Sequence, residues 1–320
     1  MDAPPHITRL TVTDSHAGVR IDAFVSAQLH WRSRRWLVDL LGRGGVRVDG
    51  RRVKKAYRLV PGSVVELELP ATEIPHEDIA AVPLDVLFED DDIVVVNKPA
   101  GVAVHAASTC PYVHLQARLA LHYAVDANID ARDPGIDATP SIIHRLDRGT
   151  SGVIAYARRR SRVAHYAGQF ERRTVRKAYV AIVHGQPPDT GTIEHPLQVI
   201  DCQPVRVAPE GKPSKTSYRV VDRQPHAAMA RIALHTGRKH QIRVHFAADG
   251  YPLVYDNLYG RIEEREAWPD DARPMLHAAR LEIEHRTRGP MVFEAPIPQA
   301  MLDTWSALDG GAAVPPIGKR

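Results

Sequence analysis

The strand-like segments of this chain do not alternate regularly with helical ones, and this irregular order most limits the possible fold. From Leu84 onward, apolar and β-branched runs dominate, in order VLFEDDDIVVVNKPAG, KAYVAIVHG, TSYRVVD, MARIALHT and HAARLEIEH. Helical spacing interrupts them only around residues 159–170 and 240–248. A regular alternation would predict a doubly wound parallel sheet. The observed order instead predicts an α+β fold built on a mixed, largely antiparallel sheet.

The N-terminal part of the chain has a different pattern and a concentrated positive charge. The whole chain carries a formal net charge of only +4, but residues 16–58 hold eleven Arg and Lys against three acids. Apolar residues at helical spacing predict two helices, the second capped by Ser33. Asp49-Gly50 is typical of a type I′ hairpin, and VVELELP predicts a further strand. These segments together predict a small basic α/β domain.

The boundaries between these parts follow from composition. Residues 71–83 are polar, contain prolines and lack periodicity, which is typical of a linker. The GG and PP pairs after Ala307 predict a frayed tail. The expected division is a basic domain over 1–70, a linker over 71–83, a second domain over 84–307 and a flexible tail over 308–320.

Several classes of protein and site are disfavoured by the sequence. No run approaches the ~20 apolar residues of a membrane span, and the start MDAPPHITRL lacks a signal-peptide core, so we expect a cytoplasmic protein without a membrane partner. His235, His240 and His245 recur every five residues, a spacing that gathers three metal ligands on neither a helix nor a strand. No P-loop or dinucleotide-binding glycine motif is present. We therefore expect neither a metal nor a cofactor.

The segment HRLDRGTSG, residues 144–152, places one carboxylate between two arginines and ends on small residues. Asp147 can be a catalytic acid presented on a turn, or it can simply cap the turn and pair with Arg145; the pattern alone leaves both interpretations open. Side chains next to each other in an extended segment point to opposite sides. An arginine from a distant segment is therefore better placed than Arg145 or Arg148 to meet the carboxylate bidentately.

Four further segments, together with HRLDRGTSG, resemble the RluA-type pseudouridine synthases. HRLDRGTSG is similar to the HRLDxxTSG signature of that family. The matching segments are DVLFEDDDIVVVNKPAGVAVH (85–105), KAYVAIVHG (177–185), TGRKHQIRVHFAADGYPLVYDNLYG (236–260) and residues 17–69, which resemble an alpha-L RNA-binding domain. They cover most of the chain in the order that the family has.

The resemblance implies roles for particular residues. Asp147 would be the catalytic aspartate, Arg243 its partner, and Tyr179 the residue that packs on the target base. Lys98 and Arg145 would support the site. Without the resemblance, Tyr179 would be assigned to the core, Arg243 to a solvated helix face and Lys98 to a turn. The basic residues expected to contact RNA in the first domain are Arg32, Arg34, Arg35, Arg47, Arg51, Arg52, Lys54 and Lys55.

Two positions depart from the family pattern. Lys239 stands where a threonine is usual in GRTHQIR, and Tyr255 replaces the glycine of the usual VGD. Neither holds one of the three central roles, so the departures concern the choice of target rather than the reaction.

The function that the resemblance implies is an isomerase that converts uridines in RNA to pseudouridine after flipping the base into a pocket. Members of that family with such a basic N-terminal domain mostly modify large-subunit ribosomal RNA, so the resemblance favours this RNA as the target. The alternatives are the same reaction on transfer RNA, and a non-catalytic RNA-binding or ribosome-assembly factor. A glycosidase would need a second catalytic carboxylate, and no comparable motif supplies one. We expect the protein to be a monomer.

Overall fold

Strands form most of the regular structure in the computed structural model of the protein, which describes residues 6–28, 34–69, 76–106, 113–126, 139–200, 203–261, 268–269 and 271–308. Within them the strands are β1 (His6–Thr11), β2 (Val46–Val48), β3 (Arg51–Arg52), β4 (Val64–Leu69), β5 (Asp85–Glu89), β6 (Ile93–Lys98), β7 (Ser141–Ile142), β8 (Ser151–Ala157), β9 (Arg176–His184), β10 (Thr190–Ile193), β11 (Leu197–Gln198), β12 (Arg206–Val207), β13 (Thr216–Gln224), β14 (Ala227–Leu234), β15 (Leu276–His285) and β16 (Gly289–Glu294). The α-helices are α1 (Ile21–Gln28), α2 (Arg34–Gly42), α3 (His76–Ala80), α4 (Leu115–Asp126), α5 (Val163–Glu171), α6 (Gln241–Ala248) and α7 (Gln299–Ala307).

The described residues fall into two compact units. The first contains the described parts of 1–83 and 103–141, and its antiparallel sheet has the order β1-β4-β2-β3. The predicted hairpin joins β2 to β3, with Asp49 at φ 50° and Gly50 at φ 76°, the two positive values that a type I′ turn requires. Helices α1 and α2 bury Phe24 and Leu40 in the core of this unit. The two helices and the sheet predicted for the basic module are therefore confirmed.

The division between the units differs from the expected continuous domain over 84–307. Residues 103–141 group with the first unit because α4 buries Ala117 in the same core as Ile79 of α3. Helix α3 lies inside the segment 71–83 that the sequence predicts as a linker. Residues 71–75 of that segment, and the predicted tail after Leu308, lie outside the described residues.

The second unit is built on one large sheet. Its main path is β10-β13-β14-β9-β15-β8-β6-β5, and β16 pairs with β15 beside this path. All pairs along the path are antiparallel except β15 with β8, which is parallel and joins His277 to Ser151 and Ala278 to Gly152. The expectation of a mixed, largely antiparallel sheet is therefore confirmed. Strand β15 comes late in the chain but lies between β8 and β9.

Helices α5 and α7 cover different strands of this sheet. Helix α5 packs Tyr166 against β6, β8 and β15, whereas α7 packs Met301 and Trp305 against β9 and β14. Among the described residues, no helix is long and apolar enough to cross a membrane.

Candidate active site

A cavity of about 400 Å³ opens in the second unit beside strand β9 and the start of α6. This volume falls within the usual range for a pocket that binds a small molecule. The residues with ionisable or aromatic side chains that line it include Asp147, Lys177, Tyr179, His240, Arg243 and Arg145. The cavity therefore brings together residues that are nearly a hundred positions apart in the sequence.

The segment 144–152 forms a turn that is fixed at its end. The amide of Thr150 donates to the carbonyl of Asp147 at 3.1 Å, and Ser151 then begins strand β8. The Ser151 hydroxyl lies 2.9 Å from Nδ1 of the buried His277, whose Nε2 is 3.2 Å from the carbonyl oxygen of Ala295. Because Nε2–H donates to that carbonyl, Nδ1 accepts from the hydroxyl. The turn that carries Asp147 is thus anchored to strand β15 and the segment beyond it.

Gly152 is required where this turn enters the sheet. Its φ is 108°, and an added Cβ would overlap the backbone carbonyl oxygen of Ala278 on β15. Only glycine allows this backbone conformation together with this close approach. The last glycine of HRLDRGTSG therefore permits the parallel pairing of β8 with β15.

Lys98 fixes the turn from its other side. Its fully buried ammonium donates to the carbonyl oxygens of Pro99, Val102 and Arg148, at 2.9, 2.8 and 3.2 Å. Burial lowers the pKa of Lys98 to about 7, while the nearby charge of Asp147 opposes this shift. Lys98 is therefore more than the ordinary turn residue that its sequence position suggests, because it joins residues 99–102 to the segment that carries Asp147.

Two cationic or potentially cationic side chains face the carboxylate of Asp147, which is 20% exposed. Nη1 of Arg243 lies 3.9 Å from Oδ2, and Nε2 of His240 lies 3.9 Å from Oδ1. Arg148 turns away, because its Nε donates to the carbonyl of Gly101 at 2.8 Å. Arg145 is exposed on the lining of the cavity. The partner of Asp147 thus comes from the distant helix α6, as the alternation argument predicts.

The prediction of a bidentate contact between Arg243 and Asp147 is wrong, because the bidentate partner of Arg243 is Asp256. Nε and Nη2 of Arg243 donate to the two carboxylate oxygens of Asp256, each at 2.7 Å. Asp256 is fully buried and also accepts the amides of Leu258 and Tyr259 at 3.0 and 3.1 Å. Burial opposes protonation of the guanidinium, but the hydrogen bonds with Asp256 outweigh it and raise the pKa of Arg243. Only Nη1 is left to face Asp147.

Sequence reasoning missed both Asp256 and His240. The sequence singles out His240 only within a five-residue histidine spacing, and no feature of it singles out Asp256. Both lie in the block 236–260 that carries the resemblance, and that block was the available signal. The proximity of His240 to Asp147 depends on its left-handed backbone, at φ 55°, which the residue pattern does not indicate.

Tyr179 and Lys177 lie on the same face of β9 and both line the cavity. Val180 and Ile182, on the opposite face, pack with α7. Burial, helped by the charge of Asp147, raises the pKa of Tyr179. Its hydroxyl therefore stays protonated and its ring is available as a wall of the cavity. Burial also lowers the pKa of Lys177, for which the structure gives no ion-pair partner among the described residues.

The three evenly spaced histidines have three different surroundings. Nε2 of His235 lies 2.9 Å from the Ser217 hydroxyl, whereas Nε2 of His245 lies 3.0 Å from the carbonyl oxygen of His195. Neither these histidines nor other His, Cys, Asp and Glu side chains form a group of three suited to a metal ion within the described ranges.

The predicted RNA-contacting residues of the first unit are largely exposed. Arg51, Arg52, Lys54 and Lys55 are exposed, and Arg47 is half-buried. Within the described part of the chain, none of these five forms an ion pair with a carboxylate. Arg32 lies outside the described residues, as do the side chains of Arg34 and Arg35.

The two departures from the family pattern differ in their surroundings. Lys239 is exposed at the cavity lining. Tyr255 has a φ of 58°, the left-handed region that a glycine adopts without strain, and its ring packs edge-on against Trp268 at 5.7 Å. Compared with a glycine, Tyr255 therefore has a strained backbone but makes an additional aromatic contact.

Comparison with known families gives two matches along the chain. The RNA pseudouridylate synthase family matches residues 92–248, and the S4 domain family matches residues 19–65. The chain is similar to proteins named ribosomal large subunit pseudouridine synthase C. The one from Vibrio vulnificus is 33% identical over an alignment of 302 positions that covers 89% of this chain and 91% of that protein. The one from Escherichia coli K12 is 34% identical over an alignment of 317 positions that covers 93% of this chain and 95% of that protein.

Two human proteins of known structure have a similar fold. Human RNA pseudouridylate synthase domain containing 4 matches with a TM-score of 0.57 at 21% identity, over 70% of this chain and 92% of that one. Human RNA pseudouridylate synthase domain containing 1 matches with a TM-score of 0.54 at 26% identity, over 73% and 90%.

Proposed function

The chain belongs to the RNA pseudouridylate synthase family, and from this premise we propose that it converts uridines of large-subunit ribosomal RNA to pseudouridine with Asp147 as the catalytic group. One observation carries the assignment of Asp147. Its carboxylate stands on an anchored turn at the wall of the cavity, with the ring of Tyr179 and the guanidinium of Arg243 beside it.

The reaction needs one carboxylate and no net oxidation. The bond from C1′ to N1 of the uridine breaks, the uracil turns, and a bond from C1′ to C5 forms. C5 loses a proton and N1 gains one, so the product is an isomer of the substrate. Asp147 can begin the reaction by attacking C1′ as a nucleophile or by removing the proton from C2′, and its position at the cavity wall serves either route.

The other residues of the cavity hold the base and the carboxylate. A uridine stacked in RNA is out of reach, so its nucleotide must turn out into the cavity. The protonated Tyr179 supplies an aromatic face against which the uracil packs. Arg243 is held by Asp256 with its remaining nitrogen toward Asp147, so the carboxylate stays beside a fixed positive charge through the reaction.

Ribosomal RNA is supported as the target by the relatives and by the first unit. Both relatives described above are named for the large ribosomal subunit. The first unit carries a match to the S4 domain and a set of exposed cations suited to RNA phosphates. Action on ribosomal RNA supports the expected cytoplasmic location.

Mapping pseudouridine in cells with and without the gene tests this function. We expect specific uridines of large-subunit ribosomal RNA to lose the modification in the deletion strain and to regain it from a plasmid copy. A plasmid copy with Asp147→Asn serves as the control that should not restore it. Loss confined to transfer RNA would overturn the ribosomal target, and an unchanged map would overturn the function.

A further inference from the structure

We infer that His240, held in one tautomer by Tyr259, is a positioning residue that fixes the carboxylate of Asp147. This inference rests on the proposed catalytic role of Asp147. It assigns to His240 and Tyr259 a part in the reaction that neither the family match nor the relatives supply.

The Tyr259 hydroxyl has two hydrogen-bond partners, and they bear on the direction of its O–H bond. The amide of Val205 donates to the Tyr259 oxygen at 2.9 Å, and the same oxygen lies 2.9 Å from Nδ1 of His240. Burial raises the pKa of Tyr259, so the hydroxyl keeps its hydrogen. The arrangement that uses both functions of the hydroxyl has its oxygen accept from Val205 and its hydrogen donate to Nδ1.

A histidine that accepts at Nδ1 carries its proton on Nε2 when it is neutral. Burial is the main reason that the pKa of His240 is lowered; Arg243 and Lys239 add to this, and Asp147 opposes it. The neutral ring therefore points Nε2–H toward Oδ1 of Asp147, 3.9 Å away. The opposite tautomer would turn a lone pair toward the carboxylate, which is repulsive. The contact of Nδ1 with Tyr259 and the contact of Nε2 with Asp147 thus favour the same tautomer.

The backbone at His240 supports a positioning role. Its φ of 55° and ψ of 18° are left-handed, a conformation that costs a residue with a side chain about 1–2 kcal/mol. The conformation occurs just before α6 and directs the imidazole at Asp147 rather than along the helix. Such strain is common where a side chain must be aimed at a reacting group.

The consequence for Asp147 is that its two oxygens are held separately. Oδ1 faces the Nε2–H of His240, and Oδ2 faces Nη1 of Arg243. Rotation of the carboxylate about its last bond is thereby restricted. Contacts of 3.9 Å are longer than hydrogen bonds, and distances of this kind shorten when a substrate excludes water.

A pair of amide substitutions separates positioning from a structural role. In His240→Gln the amide nitrogen can replace Nε2–H toward Asp147. In His240→Asn the shorter side chain reaches only the Tyr259 side, but asparagine tolerates the left-handed backbone better. We expect kcat to fall about 10- to 100-fold in His240→Asn, as for other misplaced catalytic groups, with KM for RNA unchanged. We expect His240→Gln to recover most of the loss. A more active asparagine variant would overturn the inference.

A double-mutant cycle tests the part played by Tyr259. Tyr259→Phe keeps the ring beside Arg243 but frees the tautomer of His240. We expect it to lower kcat in the wild-type background and to have no further effect in His240→Gln, whose amide needs no partner to select a tautomer. An equal loss in both backgrounds would mean that Tyr259 serves only the Val205 amide, and would overturn the inference.

Nitrogen NMR of the histidine-labelled full chain gives a readout that does not depend on activity. The His240 signal is assigned by its absence from His240→Gln. We expect a neutral Nε2–H tautomer at pH 7.5 in the wild type and a mixture of tautomers in Tyr259→Phe. An Nδ1–H tautomer or a charged ring in the wild type would overturn the inference. If the wild type makes no pseudouridine, the proposed function fails, whereas this spectrum still tests the hydrogen-bond arrangement.

Discussion

Arg243 and Asp256 form a buried, bidentate ion pair, with two hydrogen bonds of 2.7 Å, directly behind the carboxylate of Asp147. The pair leaves one guanidinium nitrogen, Nη1, to face Asp147 at 3.9 Å. Arg243 is therefore fixed by one carboxylate while it faces another. Planarity of the guanidinium makes this possible, since an ammonium group lacks the two parallel donors.

Asp147→Asn removes the carboxylate charge and keeps the size of the side chain. We expect no detectable pseudouridine and RNA affinity within a few-fold of the wild type, because asparagine can neither attack the sugar nor accept its proton. Single-turnover conversion of a ribosomal RNA fragment, with affinity measured by filter binding, tests this expectation. Pseudouridine formation by the variant would remove Asp147 from the reaction.

Arg243→Lys keeps the charge but loses the fork that binds Asp256. We expect kcat/KM to fall on the order of 100-fold, because a lysine cannot hold its position relative to Asp147. Arg148→Lys is the matched control, since the exposed Arg148 side chain has, among the described residues, a single hydrogen bond, from Nε to the Gly101 carbonyl. Its activity should stay close to that of the wild type. Normal turnover in Arg243→Lys would contradict the assignment of Arg243.

Gly152→Ala should destabilise the second unit by about 3 kcal/mol or more, because the new Cβ overlaps the carbonyl of Ala278. Gly250→Ala is the control. Gly250 also has a positive φ, of 86°, but open space around its Cβ position, so only the backbone cost of about 1 kcal/mol applies. Urea unfolding of the two variants compares them. Equal losses would show that the close approach of β8 to β15 contributes nothing.

His144 should make the protein sensitive to acid. Burial, helped by Lys177, lowers the pKa of His144 from 6.5 to about 3, while its Nε2 accepts the Ala155 amide at 2.9 Å. Between these two pH values the unfolded chain binds a proton at His144 that the folded protein does not bind. The contribution of His144 to the free energy of unfolding therefore falls as the pH falls from about 6.5 toward about 3.

His144→Gln retains an acceptor for the Ala155 amide and cannot titrate. Below pH 6 we expect the wild type to lose about 1.4 kcal/mol more per pH unit than this variant. Urea unfolding at pH 5.5 and 4.5, with pH 7.5 as the reference, measures the two slopes. Parallel slopes would contradict the assignment of His144 as a half-buried group that stays neutral in the folded protein.

The exposed cations of the first unit should determine the salt dependence of RNA binding. Replacing Arg51, Arg52, Lys54 and Lys55 by alanine should reduce the slope of log affinity against log salt by about 3, at ~0.7 per lost phosphate contact. Arg9→Ala is the control, because Arg9 is paired with Glu66 at 3.0 Å. Its slope should match that of the wild type, and an unchanged slope in the fourfold variant would mean that these cations do not contact RNA.

The elements that could be predicted from the sequence are those with a local signal. Apolar and β-branched runs identified β6, β9 and β15, and the pair Asp49-Gly50 identified the hairpin that joins β2 to β3. Helix α7 was missed because its two buried residues, Met301 and Trp305, are one turn apart and give too short a pattern. The tertiary burial of α4 determines where residues 103–141 belong, and no local pattern indicates it.

The residues of the candidate site also fall into those with a local sequence signal and those that only the fold brings together. A motif can nominate Asp147 and Arg243, because each stands in a recognisable string of letters. It cannot show that Arg243 prefers Asp256, since that choice depends on which carboxylate the fold buries behind the helix. It cannot show the direction of the His240 ring either, because a single positive φ determines it.

The place of β15 in the sheet has a consequence for how the protein is made. This strand ends at His285 but separates β8 from β9, so the Asp147 turn and Tyr179 lack their common neighbour until it has been synthesised. The first unit, by contrast, has all of its described elements once residue 141 has been translated. A nascent chain therefore acquires its cationic unit well before a closed catalytic sheet. A polypeptide cut short before residue 276 retains that unit while lacking the strand that completes the active site.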